Sequence, residues 1–150
     1  MKLTPIAEKS ATAFINDLRA TYQNWQDPLG EFGEVKEPKD FSDPIFKEYQ
    51  VTYGAATLVV TEERKAQGPT IQRFEININQ LSDRVYSDEL VLIVLKSLGA
   101  TKDDLVAVSK ASERDYNSPN GMDDWPVTLH GHKYFVSHGK GHYIMMESSR

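Results

Sequence analysis

A chain of 150 residues, 39% hydrophobic and 26% charged, has the composition of one ordinary globular domain covering residues 1–150, not of a disordered segment. Its zero cysteines exclude disulfides, thiolate zinc sites and cysteine nucleophiles together. A net charge of −5 without a lysine–arginine cluster argues against direct nucleic-acid binding.

The N-terminal stretch MKLTPIAEKSATAF lacks an apolar run and carries Glu8 early, so it does not read as a secretory signal. With the lack of cysteine, this predicts a cytoplasmic protein. Thr4-Pro5 predicts a helix start, with Thr4 as the cap and Pro5 at the first helical position. Leu3, Ala7, Ala11, Phe14, Leu18, Tyr22 and Trp25 recur at helical spacing, and Ile15 widens the stripe. Asp27-Pro28 then ends an amphipathic helix of about six turns.

Three prolines, two glycines and alternating acids between Asp27 and Pro44 predict an irregular segment wrapped over the surface, with Leu29, Phe32, Val35 and Phe41 pinned against the domain. Charge is uneven here. Seven acids, Glu31, Glu34 and Glu37 among them, meet three lysines between Asp27 and Glu48. Tyr49 to Thr61 is rich in β-branched and aromatic residues and predicts a strand, although residues 55–67 would also suit a helix. In Ile71 to Asn79, Phe74, Ile76 and Ile78 alternate with Arg73, Glu75 and Asn77, as in a strand with one wet face. Together the two stretches predict a hairpin with a charged tip.

Ser87 to Leu98 is the centre of the pattern. Leu90 to Leu95 are all apolar, and a helix that is apolar on every side must be covered on every side. Ser87 suits its N-cap, Asp88 and Glu89 its first turn, and Gly99 its left-handed end. Twelve residues are too few to cross a bilayer, so the stretch belongs to a core and not to a membrane. Thr101 and Asp104 look like a capping pair opening a second helix over Asp103 to Ala111, a stretch whose valines would equally suit a strand. Asn117 to Gly121 is turn chemistry, and Val127 to Ser137 and His142 to Ser148 predict two further strands.

The C-terminal hairpin holds all four histidines. Gly139-Lys140 fits a type II′ turn, which would pair Val136 with Tyr143, Tyr134 with Met145 and His132 with Glu147. His130 and His132 then share a face opposite Glu147, a donor set suited to zinc or iron. Plain, partly exposed strand histidines are the simpler reading, and acid–base chemistry with Lys133 and Tyr134 is a third. Gly139-Lys140-Gly141 could also cradle a phosphate, although a plain turn accounts for it.

The sequence contains no GxGxxG, GxxxxGK[ST], GxSxG, HExxH or EF-hand spacing. Asp123-Asp124-Trp125, an aromatic rimmed by acids after a turn, has the composition of a contact point for a basic protein; a Trp125 that plugs the core is the blander alternative. The expected fold is α+β: an antiparallel sheet built from two hairpins, packed against the N-terminal amphipathic helix and the buried central helix. The expected function is non-catalytic binding. A small acidic inhibitor of the immunity type would mask a basic protein partner through Asp123, Asp124, Trp125, Glu31, Glu34 and Glu37, and would need no cofactor. The alternative is a metal- or histidine-dependent enzyme with zinc held by His130, His132 and Glu147 on the C-terminal hairpin.

Overall fold

A computed structural model describes residues 5–37, 45–116 and 123–147. The elements run α1 (Ala11–Gln23), β1 (Phe46–Tyr53), β2 (Ala56–Lys65), β3 (Gly68–Ile78), α2 (Arg84–Ser97), α3 (Lys102–Tyr116), β4 (Asp123–Leu129), β5 (His132–Gly139) and β6 (His142–Glu147). The six strands form one antiparallel sheet in the order β1-β2-β3-β6-β5-β4, so two three-strand meanders join through β3 and β6. This is an α+β fold.

Alternation along the strands builds the core. Val51 and Tyr53, Leu58 and Val60, Phe74 and Ile76, Tyr143 and Met145, Tyr134 and Val136, and Trp125 and Val127 are buried and join the helices in one continuous cluster. A bulge opposite Thr61/Glu62 shifts the phase of β3, so Ile71 turns inward although it is out of step with Phe74, Ile76 and Ile78. Helix α2 meets β1, β2, β3 and β6 as well as α1 and α3, which buries Leu90, Val91, Ile93, Val94 and Leu95 of its apolar run and leaves Leu92 half-buried. Gly99 closes it at φ 93°. Thr101 and Asp104 cap α3 reciprocally: Thr101 N–H donates to Asp104 Oδ2 (3.2 Å) and Asp104 N–H to Thr101 Oγ1 (3.1 Å). Among the described residues, no helix is long and apolar enough to cross a membrane.

Several boundaries differ from expectation. The first helix begins at Ala11, not at Pro5, because Ile6 and Ala7 are drawn into a bridge with Ile71 of β3 (Ile6 N–H to Ile71 O and Ile71 N–H to Ala7 O, both 2.8 Å). Ser10 is the actual cap; its Oγ accepts from Ala13 N–H. Thr4 and Leu3 lie outside the described residues, as do Phe41 and Asn117 to Gly121. The central helix starts at Arg84 after a 3₁₀ turn, so Ser87 is a buried residue of the helix and donates to the Arg84 carbonyl. The strand expected over Tyr49–Thr61 is two strands turning at Gly54-Ala55, and residues 55–67 are strand and turn, not helix. The strand expected over Val127–Ser137 is likewise two, turning at His130-Gly131 with φ 51° and 79°.

The last turn also moves. Lys140 and Gly141, at φ 46° and 89°, are its central residues, the conformation of a type I′ turn. That pairs Val136 with Met145 and Tyr134 with Glu147, a two-residue slide from the expected register. A two-residue slide keeps every side chain on its own face, which is why the core survives the error.

Candidate functional site

The segment after α1 is an ordered strap along the β1 edge of the sheet. Gly33 N–H donates to the Thr52 carbonyl (2.9 Å), Lys36 and Gln50 exchange two backbone bonds (2.7 and 2.8 Å), and Gly54 N–H donates to Glu31 O (3.1 Å). From the helix side, Tyr22 Oη donates to the Gly30 carbonyl (2.7 Å) and an Arg19 guanidinium nitrogen to the Gly33 carbonyl (2.9 Å). Phe32 packs 5.4 Å from Tyr22 and 5.0 Å from Tyr53, ring centre to ring centre. A Cβ at Gly33 would stand 2.3 Å from Thr52 Oγ1, so a larger residue would force the Thr52 side chain or the strap to shift.

The strap is tied to the central helix by a buried carboxylate. Glu89, 9% exposed, accepts from Tyr53 Oη (2.9 Å) and Leu29 N–H (2.9 Å), while Tyr53 Oη accepts from Gly30 N–H (3.3 Å). Burial raises the Tyr53 phenol above its ordinary value, and the hydrogen bond to Glu89 adds to the rise. The outcome is that Phe32 and Val35 pack against the core while Glu31 and Glu34 stay exposed. Glu37 pairs with Lys47 at 3.0 Å, and that hydrogen bond raises the Lys47 ammonium. Among the described residues, Glu31 and Glu34 are in no ion pair.

The other predicted contact residues lie elsewhere. Asp123 and Asp124 open β4, the opposite edge strand. Five strand spacings separate the two edges, about 24 Å at ~4.8 Å each. Asp124 is exposed and accepts from the Ser137 hydroxyl. Trp125 is 5% exposed, with its ring 5.0 Å from His138 and 5.9 Å from Tyr143, so it plugs the core. Glu31, Glu34 and Glu37 thus stand together, and Asp123 and Asp124 stand apart from them.

His130 and His132 come to one cleft of about 530 Å³, which Glu8, Lys9, Leu98 and Tyr134 also line. His130 sits in the β4–β5 turn and not on a strand, and its ring approaches Gly99 at the end of α2. Glu147 pairs with Tyr134, not with His132. Among the described residues, no group of three or more His, Asp or Glu side chains is placed to hold a metal ion.

Three side chains make contacts that their sequence context does not announce. His138 is buried inside the last hairpin, where its Nε2 accepts from Gly141 N–H (3.0 Å) and its ring stacks 4.6 Å from Tyr143. Asp88 accepts from Tyr143 Oη and from Ser112 Oγ (3.2 Å). Burial first, and then the charge of Asp88, raise the Tyr143 phenol. Glu89, whose place in the sequence suits the helix dipole, is the buried acceptor for Tyr53 and Leu29. Nothing local distinguishes it from a dipole partner, because the groups that hold it, Tyr53 Oη and Leu29 N–H, come from 36 and 60 residues away in the chain.

No protein-family model, curated protein or solved structure matches this chain.

Proposed function

We propose that this chain is a non-catalytic binding protein, a small acidic inhibitor of the immunity type that masks a basic protein partner in the cytoplasm, with the strap as its contact surface. One observation carries the reading: Glu31, Glu34 and Glu37 project from a segment already held by backbone bonds to β1 and by the Glu89–Tyr53 anchor. Carboxylates on an ordered segment meet a cationic surface without the ordering entropy that a mobile acidic loop would lose. Their field also speeds encounter with a positive partner.

The test is affinity capture from the source cells, with wild-type chain and with Glu31→Lys/Glu34→Lys as baits. A basic polypeptide should be held by the wild type, released by salt, and bound at least tenfold more weakly by the double variant. Asp124→Lys, on the far edge, should retain it within twofold. Equal capture by all three baits would remove the strap from the account.

The cleft holding His130 and His132 favours a second reading, a histidine-dependent enzyme. On that reading His130→Ala and His132→Ala each abolish an activity while the melting temperature stays within a few degrees.

A further inference from the structure

The strap begins at the lip of a groove. A cavity of about 420 Å³ lies between α2, α3 and the chain following α1, with an apolar wall of Trp25, Leu29, Val85, Leu92 and Val108. Two of these, Leu29 and Val85, are 60% and 48% exposed, a costly placement for large apolar side chains that share one opening. The polar lining is one-sided. Asp27 and Glu113 contribute exposed carboxylates at the rim, and Asp88 and Glu89 contribute two more that are already bonded to Tyr143, Ser112, Tyr53 and Leu29. Arg84 is the one cation among the described lining residues, with the Lys96 ammonium 5.5 Å over the Trp25 ring. The floor is held together, because Asp88 accepts from both the Ser112 and the Tyr143 hydroxyls, whose oxygens lie 3.0 Å apart.

Resting on the binding reading above, we infer that this groove is the anchor pocket of the same interface, and that it takes an apolar side chain flanked by lysine or arginine on a segment of the basic partner. The volume is at the small end of ligand pockets, enough for one or two side chains and too little for a folded element. An apolar wall with Asp27 and Glu113 at its rim matches an apolar residue between cations, and it repels the same residue between acids. Leu29 makes the groove and the strap continuous: its side chain forms the lip, and its N–H is held by Glu89. Exposed strap carboxylates give rate and orientation, while a filled apolar pocket gives residence time, the usual division between rim and centre.

The test places p-benzoylphenylalanine singly at Glu34 on the strap, at Leu29 and Val85 in the groove, and at Thr128 on the far edge. Each purified 150-residue chain is then illuminated in extract of its source cells. Glu34, Leu29 and Thr128 are all exposed, so at least one groove probe folds if the Val85 variant does not. The expected result is one basic protein attached at Glu34 and at a groove position, and not at Thr128. Peptide mapping should put the groove adduct on a segment where an apolar residue lies between lysines or arginines, and Asp27→Lys should cut its yield at least fivefold. An adduct at Glu34 alone overturns the groove and leaves the strap reading standing. No adduct at any position overturns both. A groove adduct on a segment without flanking cations, or an equal adduct at Thr128, overturns the inference.

Discussion

Glu89 lies on a buried face in the first half of α2, and its carboxylate is kept there by the Tyr53 hydroxyl and the Leu29 N–H. Removing the hydroxyl leaves a buried acceptor short of a donor and frees Gly30 N–H. Tyr53→Phe should therefore lower stability by about 1–3 kcal/mol in urea unfolding and speed amide exchange across the strap. An unchanged midpoint with unchanged exchange would mean that the anchor carries no weight. The phenols also set an alkaline limit. Tyr53 and Tyr143 are raised above the ordinary value of ~10, so the unfolded chain ionises them first. Their contribution is fully present below about pH 10 and falls as pH rises above it. Tyr143→Phe should be less stable at pH 7 and lose less on going to pH 11. These residues were hard to read in sequence because a tyrosine on an alternating strand and an acid before an apolar run each have a simple local explanation. Their meeting is made by residues 36 apart in the chain for Tyr53 and Glu89, and 55 apart for Asp88 and Tyr143.

At the scale of elements, the start of α1 shows local and distant signals competing. Thr4-Pro5 is sound helix-opening chemistry, yet pairing of Ile6 and Ala7 with Ile71 takes the chain in extended form as far as Ser10. The first turn is then completed from β2. Glu62, 5% exposed, accepts from Ala11 N–H (2.8 Å) at the positive end of the helix dipole, and Arg64 Nε lies 3.9 Å away. Ser10→Ala should cost about 1 kcal/mol and Glu62→Gln about 1–2 kcal/mol in thermal or urea unfolding. The two changes touch the same turn and should not add. A Glu62→Gln variant as stable as wild type would show that the buried carboxylate is not a cap. Hairpin turns were the other blind spot. His130-Gly131 reads as strand interior in the sequence, because Gly131 is the one local mark of a turn that takes positive φ at both residues.

For the whole molecule, the fold class and the buried central helix were legible, since both rest on hydrophobic patterns that run over many residues. Strand number was not, because Tyr49–Thr61 and Val127–Ser137 each conceal a turn of two residues. The candidate surface was half legible. Composition marked the acids of both the strap and β4, but nothing in the chain order says that β1 and β4 are opposite edges of one sheet. Nor does it say that Trp125, next to Asp124, faces the core while Leu29, in the strap, faces solvent. The topology therefore separates two sets of acids that sequence joins, and it brings the strap beside the groove of α2 and α3, which sequence keeps apart.

Native mass spectrometry of untagged chain recovered from its own cells tests the binding account most directly. The account expects a stoichiometric complex with a second, basic polypeptide that dissociates as salt is raised. The chain alone, with or without a bound metal ion, would contradict it.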